Sequence, residues 1–260
     1  MLTISENIAV VVVTIVGSLG FWLLVRWAWP LERRRIHNDI TGWQISVLGT
    51  TYAVIIGFML FAAWADFRAA DQNAEVEATC LINLYWAASG LPEGQRLEIR
   101  KLAVNYADTM LAQEWPAMSE GHGSHAATGI IQRLWVVVSQ SQPLTASEQV
   151  SLERTMAEIS SITEHRRIRL LQNETSLPHV LWLVLIVGAL VTLMSACLFG
   201  SENPALHLLQ IVTLALMLSL ALVAIADINR PFRGAVHVLP TGIENAKRIF
   251  AEYDLEPKAR

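Results

Sequence analysis

The chain has 260 residues, of which 53% are hydrophobic and only 16% are Asp, Glu, Lys or Arg. An average soluble domain has about a quarter of its residues charged. With a mean hydropathy of +0.40, this composition is that of a membrane protein. The net charge of −4 gives no basic surface of the kind that nucleic-acid binding needs, so neither DNA nor RNA is an expected partner.

Four apolar runs are each long enough to cross a membrane, which takes about 20 residues in an α-helix. They lie near residues 8–29, 43–65, 179–199 and 206–228. No β-hairpin or alternating strand pattern accompanies them. The sequence therefore predicts an all-α membrane protein with four transmembrane helices and a helical extramembrane domain inserted between the second and the third.

The second run continues into a charged, helical pattern without a proline or a turn signal, so it predicts one long helix over residues 43–89. On its membrane half, Gly49, Ala53 and Gly57 are spaced four apart on one face. This small-xxx-small spacing lets another transmembrane helix approach closely. We expect this face to pack against a neighbouring helix.

The opposite face of the same membrane half carries Thr51, Ile55, Phe58 and Ala62. In an oligomer these residues are candidates for a pore surface, with an apolar constriction at Ile55 or Phe58, because hydrophobic constrictions gate channels by dewetting. The other interpretation is a face that contacts lipid or the helix bundle. The spacing of the residues does not choose between these interpretations.

Acidic residues follow directly after the second apolar run: Asp66, Asp71, Glu75 and Glu77. Rings of Asp or Glu attract cations at the mouths of cation channels, so these residues are pore-mouth candidates. A solvated helix face has the same composition, because every transmembrane helix that enters water becomes polar.

The expected domain organisation follows from these runs. Residues 1–66 hold the first two transmembrane helices, 67–177 form a helical soluble domain continuous with the second, 178–228 hold the last two, and 229–260 form a C-terminal cytoplasmic tail. In the soluble domain, Thr145 and Glu148 form a capping-box pattern that starts a helix running to Glu174. The Gly- and His-containing segment 116–129 is predicted to be a loop.

Two further groups of residues are candidates for specific contacts. Asp227 ends the fourth run, and Arg230 lies at helical spacing from it, so we expect an ion pair at the membrane interface. His122 and His125 lie beside Glu120, but two histidines and one carboxylate in a loop fall short of a normal ligand set. We expect no metal and no cofactor.

The positions of Lys and Arg near the ends of the runs predict the orientation. Three of these residues, Arg33, Arg34 and Arg35, fall on one side. On the other side are Arg68, Arg166, Arg167, Arg169, Arg230, Arg233, Lys247 and Arg248. The count favours both termini and the helical domain in the cytoplasm.

Short motifs spread over about residues 31–235 carry a family resemblance. They include His37-Asn38-Asp39, Leu48-Gly49-Thr50-Thr51-Tyr52, Glu75-Val76-Glu77-Ala78, Leu177-Pro178 and Pro231-Phe232. As a set they resemble the bestrophin-like family of bacterial membrane proteins, which is distantly similar to bestrophin ion channels.

Bestrophins are pentameric channels with four membrane helices per subunit, a helical cytoplasmic domain and a pore lined by the second helix. The resemblance therefore implies a homo-oligomeric, pentameric ion channel in the bacterial inner membrane, whose partners are lipid, inorganic ions and copies of itself. The chain has no recognisable acidic calcium clasp, so calcium gating is not expected. It also has no clear aromatic triplet at the neck, so the constriction residues of bestrophins cannot be carried over by motif.

Two other functional classes were weighed against a channel. A non-conducting membrane scaffold, whose helical domain recruits a partner, is the alternative that the same features allow. An enzyme is not expected, because the sequence contains no G-x-S-x-G, Walker A, H-E-x-x-H or Rossmann glycine motif.

Overall fold

The computed structural model describes residues 4–255, and the regular structure within this range is helical, with no strand. The helices in chain order are α1 (Ile4–Ala28), α2 (Leu31–Arg35), α3 (Asn38–Ala87), α4 (Glu93–Thr109), α5 (Trp115–Glu120), α6 (His125–Ser139), α7 (Ala146–Glu174), α8 (His179–Leu198), α9 (Pro204–Ile228) and α10 (Thr241–Leu255). A short 3₁₀ turn, Ala88–Gly90, follows α3, and a π-helical turn, Met110–Glu114, joins α4 to α5.

Prolines set the starts of several helices. Pro30, Pro92 and Pro178 immediately precede α2, α4 and α8, each with a ψ angle between 142° and 146°. Proline has no amide hydrogen to give to a preceding turn, but its φ angle suits a helix start. Asn203 caps α9 instead with its side chain, which accepts hydrogen bonds from the amides of Ala205 and Leu206, both at 3.1 Å.

Four long apolar helices are present within residues 4–255, as the sequence predicts. The stretches long and apolar enough to cross a membrane are Ser5–Ala28, Asn38–Gly90, His179–Leu198 and Pro204–Ile228. The second begins earlier than the expected residue 43. The turn-forming residues before Trp43 belong to the helix, since the amide of Thr41 bonds to the carbonyl of His37 at 2.9 Å.

The chain divides into two compact units. The first consists of Met1–Asp66, Ser176–Arg230 and Gly234–Val236. In it, α1 packs against α9 and α8, and α8 packs against α9. Trp22, Cys197 and Ile211 form a buried cluster among these helices.

The second unit consists of Phe67–Thr175, Pro231–Arg233 and His237–Arg260. Its core is built from the second half of α3 and from α4, α6, α7 and α10. The expected tail therefore differs from what is observed: α10 is part of this core, with Ile243, Ala246 and Phe250 buried. Phe250 stacks on Tyr85 of α3 with ring centroids 4.5 Å apart.

Two local expectations have different outcomes. The capping box is confirmed: Thr145 Oγ1 accepts from the amide of Glu148 at 3.2 Å, and Glu148 Oε2 accepts from the amide of Leu144 at 2.8 Å. The loop over 116–129 is wrong in extent, because α5 and α6 leave only 121–124 outside helices. Gly121 ends α5 with a φ of 103°, a left-handed conformation that favours glycine.

Candidate functional site

The membrane half of α3 is the least buried of the four apolar segments. In its most apolar window 6% of residues are buried, against 17%, 33% and 22% for the segments in α1, α8 and α9. Tyr52 and Ala63 are the buried residues on its inward side. Most of the circumference of this segment is therefore left open by the chain itself.

The inward side of α3 meets α8 at Tyr52. The Tyr52 hydroxyl donates a hydrogen bond to the carbonyl of Leu185 at 2.6 Å. A Cβ atom at Gly188 would overlap the Tyr52 ring, so this contact needs glycine. This close approach is not predictable from the sequence, because its only signal is a single glycine within a long apolar run.

Among the residues that the structure describes, the predicted close-packing face has no such partner. Ala53 and Gly57 are exposed, and Gly49 is half-buried. A Cβ added at Gly49 or Gly57 would meet no other atom within 4 Å. The small residues therefore leave an open surface on the described chain.

The pore candidates form a strip beside the packed side of α3. Thr51 and Phe58 are exposed, Phe58 with 66% of its surface, while Ile55 and Ala62 are half-buried. These residues recur every three or four positions and so share one helical face. The strip combines a hydroxyl, a β-branched chain, an aromatic ring and a methyl group.

The acidic candidates lie in different surroundings. Asp66 is exposed and is the last residue of the first segment of the first unit. In the second unit, Asp71 is half-buried, and Glu75 is exposed and accepts a hydrogen bond from Thr241 Oγ1 at 3.0 Å. Glu77 differs from all of them, because only 1% of its surface is exposed.

Glu77 is bound inside the second unit and is not a surface charge. Arg169 donates to it from Nε to Oε2 at 2.7 Å and from Nη2 to Oε1 at 3.1 Å. The Tyr106 hydroxyl donates to Oε1 at 2.7 Å. A bidentate guanidinium and a phenol together satisfy the carboxylate.

A second buried carboxylate extends this network. Arg166 donates to Glu114 from Nε to Oε1 at 2.9 Å and from Nη2 to Oε2 at 3.1 Å. Arg169 Nη2 reaches the same Oε1 at 3.3 Å, and the amide of Ser124 donates to Oε2 at 2.8 Å. Two arginines and two glutamates thus balance one another in the core.

The network keeps Tyr106 and Arg169 in their protonated forms. Burial, and then the charge of Glu77, raise the pKa of Tyr106 well above its ordinary value, so the phenol keeps its proton. Burial alone would lower the pKa of Arg169, but the charge of Glu77 and its hydrogen bonds outweigh burial and raise it. The sequence gives no direct signal for these pairs, because the partners are 29 to 92 residues apart.

The expected ion pair at the end of α9 is not formed. Within the described residues, Asp227 takes Asn7 of α1 as its partner, whose Nδ2 lies 3.0 and 2.9 Å from the two carboxylate oxygens. Arg230 is exposed and makes no ion pair with Asp227. The packing of α1 against α9 places Asn7 beside the carboxylate.

His122 and His125 are not arranged as a metal site in the structure. His122 Nε2 lies 3.2 Å from Glu120 Oε2, and both side chains are exposed. In the described part of the chain, no group of three or more His, Cys, Asp or Glu side chains is arranged to hold a metal ion.

Solved structures share this fold over nearly the whole chain. A crystal structure of a bacterial bestrophin homologue from Klebsiella pneumoniae, carrying a leucine-to-threonine substitution, has a TM-score of 0.69 and 14% identity, covering 96% of this chain and 100% of that one. A crystal structure described as a membrane protein has a TM-score of 0.68 and 16% identity, covering 97% and 100%. At these identities the likeness shows the bestrophin fold.

No curated protein matches the chain. Comparison of the sequence with family models gives a result that is independent of the solved structures. The model of the bestrophin-like domain matches residues 11–243, which is most of the sequence. The chain is a membrane protein of the bestrophin-like family.

Proposed function

We propose that the protein is a homo-oligomeric ion channel whose pore is lined by the membrane half of α3. Family membership and the fold shared with bacterial bestrophin homologues support this function class. The observation that carries the proposal is the open circumference of α3, with 6% of its apolar window buried. In the assembled channel, neighbouring copies of the chain and the pore take up that surface.

The residues of the open strip are of the kinds that a pore surface uses. Thr51 places a hydroxyl on the exposed strip, and Phe58 lies two turns further along the same face. A hydroxyl on a pore surface can contact water or ions, and an apolar ring can form a constriction. The half-buried Ile55 and the exposed Phe58 are the proposed constriction.

The small residues have a complementary role in the proposed assembly. Among the described residues, a Cβ built at Gly49 or Gly57 meets no atom of another element within 4 Å, and Ala53 is exposed, so we assign this face to a helix of a neighbouring subunit. Asp66 follows Ala62 by one turn and is the residue we assign to the mouth of the pore. Glu77 is left out of the mouth because it is bound to Arg169.

The arrangement in the membrane follows from the same proposal. The four apolar helices cross the bacterial inner membrane, and the second unit is a helical extramembrane domain in the cytoplasm together with both termini. Arg68, Arg167 and Arg230 are exposed on the proposed inner side, and Arg26, Arg33 and Arg35 are exposed on the other side. The proposed orientation therefore rests on the bestrophin-like family and not on the exposed charges. Five subunits around one axis is the stoichiometry that we propose.

Ion flux in reconstituted liposomes tests the channel. Purified full-length protein should release a trapped ion, and Phe58→Ala and Ile55→Ala should each change the flux, because each removes bulk from the proposed constriction. Val13→Ala on α1 is the matched control, because it also shortens an apolar side chain that is exposed in the single chain. The control should leave the flux unchanged.

The outcomes separate the channel from the scaffold. Flux that responds to Phe58 and Ile55, together with a ring-sized mass in detergent or nanodiscs, supports the channel. A stable monomer, or no flux of any common monovalent or divalent ion, contradicts it. A stoichiometric hetero-partner combined with no conductance would favour the scaffold.

A further inference from the structure

A cavity of about 180 Å³ lies within the first unit, at the end of α1 and the start of α9. Its lining includes Trp22 and Arg26 of α1, Arg34 of α2, Ser201 of the connection between α8 and α9, and His207 of α9. It is separate from the strip on α3 that we assign to the pore. Two of these lining side chains carry a positive charge.

Arg34 is buried without a negative partner. Only 5% of its surface is exposed. Its Nη1 donates to the carbonyl of Phe199 at 3.3 Å, its Nε has no hydrogen-bond partner, and no ion pair joins it to any carboxylate of the described chain. A buried guanidinium without a counter-charge is costly, so Arg34 would gain from an anionic partner at this place.

The backbone around Arg34 is held in place by a reciprocal clamp. Asn38 Nδ2 donates to the carbonyl of Gly200 at 2.8 Å, and the amide of Gly200 donates to Asn38 Oδ1 at 2.8 Å. A Cβ atom at Gly200 would lie 2.9 Å from the backbone nitrogen of Arg35, which leaves no room for a larger residue. Asn38 belongs to the His37-Asn38-Asp39 motif, so this motif fixes α2 against the turn between α8 and α9.

The neighbouring groups do not neutralise the positive charges of Arg26 and Arg34. Glu202 also lines the cavity, but its carboxylate pairs with Arg35. His207 is neutral, since its Nδ1 accepts from Trp22 Nε1 at 3.1 Å and its Nε2 faces the carbonyl of Ala196 at 3.1 Å. Burial, and then the nearby charge of Arg26, lower the pKa of Arg34, as expected where an anionic partner is lacking.

We propose that this cavity binds a phosphate group through Arg34 and Arg26. Guanidinium groups match phosphate oxygens in geometry and charge. The phosphate can belong to a lipid headgroup or to a free inorganic anion. The exposed Trp27 and Trp43 flank this end of the helices, and indoles concentrate at headgroup level, which favours the lipid source.

Binding to purified full-length protein tests the site. The probes are phosphatidylglycerol in mixed micelles, inorganic phosphate, and diacylglycerol, which has acyl chains but no phosphate. Native mass spectrometry counts retained lipid, and the shift of the thermal midpoint with probe concentration gives the affinity. Arg34→Gln should weaken binding about tenfold or more, since it removes a charge-assisted contact.

One control variant and a second test variant accompany Arg34→Gln. Arg33→Gln removes the same charge from an exposed neighbour on α2 and should leave binding unchanged. Arg26→Gln alters an exposed side chain, so the protein should fold normally even where Arg34→Gln does not, and it should also weaken binding. Binding of phosphatidylglycerol but not diacylglycerol supports the lipid source.

Stabilisation by inorganic phosphate, lost in Arg26→Gln, supports a free anion at the same site. The proposal is overturned if no phosphate-bearing probe binds. It is equally overturned if Arg26→Gln and Arg34→Gln bind as well as Arg33→Gln. Because none of these measurements depends on conduction, a failure here is distinguishable from a failure of the channel proposal.

Discussion

Glu77 and Arg169 form a bidentate ion pair in the core of the second unit, with at most 1% of either residue exposed. Glu77 lies on the long helix α3 and Arg169 on α7, so the pair ties these two helices together. This arrangement gives the acidic residue a structural role and removes it from any surface ring of carboxylates.

Glu77→Gln should destabilise the protein strongly. The substitution keeps the shape of the side chain but leaves the buried charge of Arg169 dependent on Glu114 alone. Removing one partner of a buried pair costs about 3–5 kcal/mol. We expect the midpoint of thermal unfolding in detergent to fall by roughly 6 °C or more for a chain of this size.

Glu98→Gln is the control for the loss of an acidic charge. Glu98 pairs with Arg133 at 3.1 Å, but the two side chains are 43% and 68% exposed. Exposed pairs contribute about 1 kcal/mol or less, so this midpoint should move little. Equal shifts in the two variants would contradict the account of the buried network.

Tyr106→Phe tests the phenol in the same network, and its effect should depend on pH. Near neutral pH it removes a hydrogen bond to a charged group, which costs about 1.5–3 kcal/mol. The pKa of Tyr106 is raised in the folded state. Its stabilising contribution is therefore complete below the unfolded pKa of about 10 and declines as the pH rises above it.

A series of melting curves at different pH values checks the direction of this pH dependence. Between pH 7 and 11, the wild type should lose more stability than Tyr106→Phe above about pH 10, because only the wild type must keep this buried phenol protonated. A constant difference between the two proteins across the whole series would show that Tyr106 does not contribute to the alkaline loss.

Gly188→Ala should disrupt the contact between α8 and α3. The added methyl group overlaps the Tyr52 ring, and the ring is held by its hydrogen bond to Leu185. Overpacking of this kind costs about 1–3 kcal/mol. Thermal unfolding in detergent should show the loss, while Gly17→Ala, where a Cβ meets nothing within 4 Å, should be close to neutral.

A double-mutant cycle identifies the clash as the cause. Combining Gly188→Ala with Tyr52→Ala removes both partners of the overlap, so the two effects should not add. Additive losses would place the cost of Gly188→Ala elsewhere.

Phe250→Ala tests whether the C-terminal helix is part of the core. Phe250 is 1% exposed and stacks on Tyr85, so truncation should cost about 3–5 kcal/mol in unfolding free energy. The exposed Leu239 provides the control, and Leu239→Ala should change the thermal midpoint little. If the thermal midpoint of Phe250→Ala is near that of the wild type, α10 does not contribute to the core and the segment is a tail.

The features of the fold that depend on local sequence are predictable. The four apolar runs follow from local composition. The start of the helix that ends at Glu174 follows from the capping box at Thr145. The helix α10 is not predictable from local sequence, because its few apolar residues, such as Ile243 and Phe250, are spread among charged ones. These residues are buried only by packing against a core formed by distant parts of the chain.

The site was less predictable because its contacts join distant parts of the chain. Arg166 and Arg169 lie near a membrane end in the sequence, yet both are neutralised by buried glutamates. Helical spacing predicts Arg230 as the partner of Asp227, but the packing of α1 against α9 supplies Asn7 instead. Side-chain partners of this kind follow from tertiary structure and not from helical periodicity.

The central claim is that the face of α3 carrying Thr51 and Phe58 surrounds the ion pathway. Thiol modification during ion flux tests it in variants that each carry one added cysteine, because the native Cys80 and Cys197 are both buried. A water-soluble thiol reagent should block flux through Phe58→Cys and Thr51→Cys in liposomes and leave Val13→Cys unaffected. Block confined to Ala53→Cys and Gly57→Cys, or no flux in any variant, would contradict the claim.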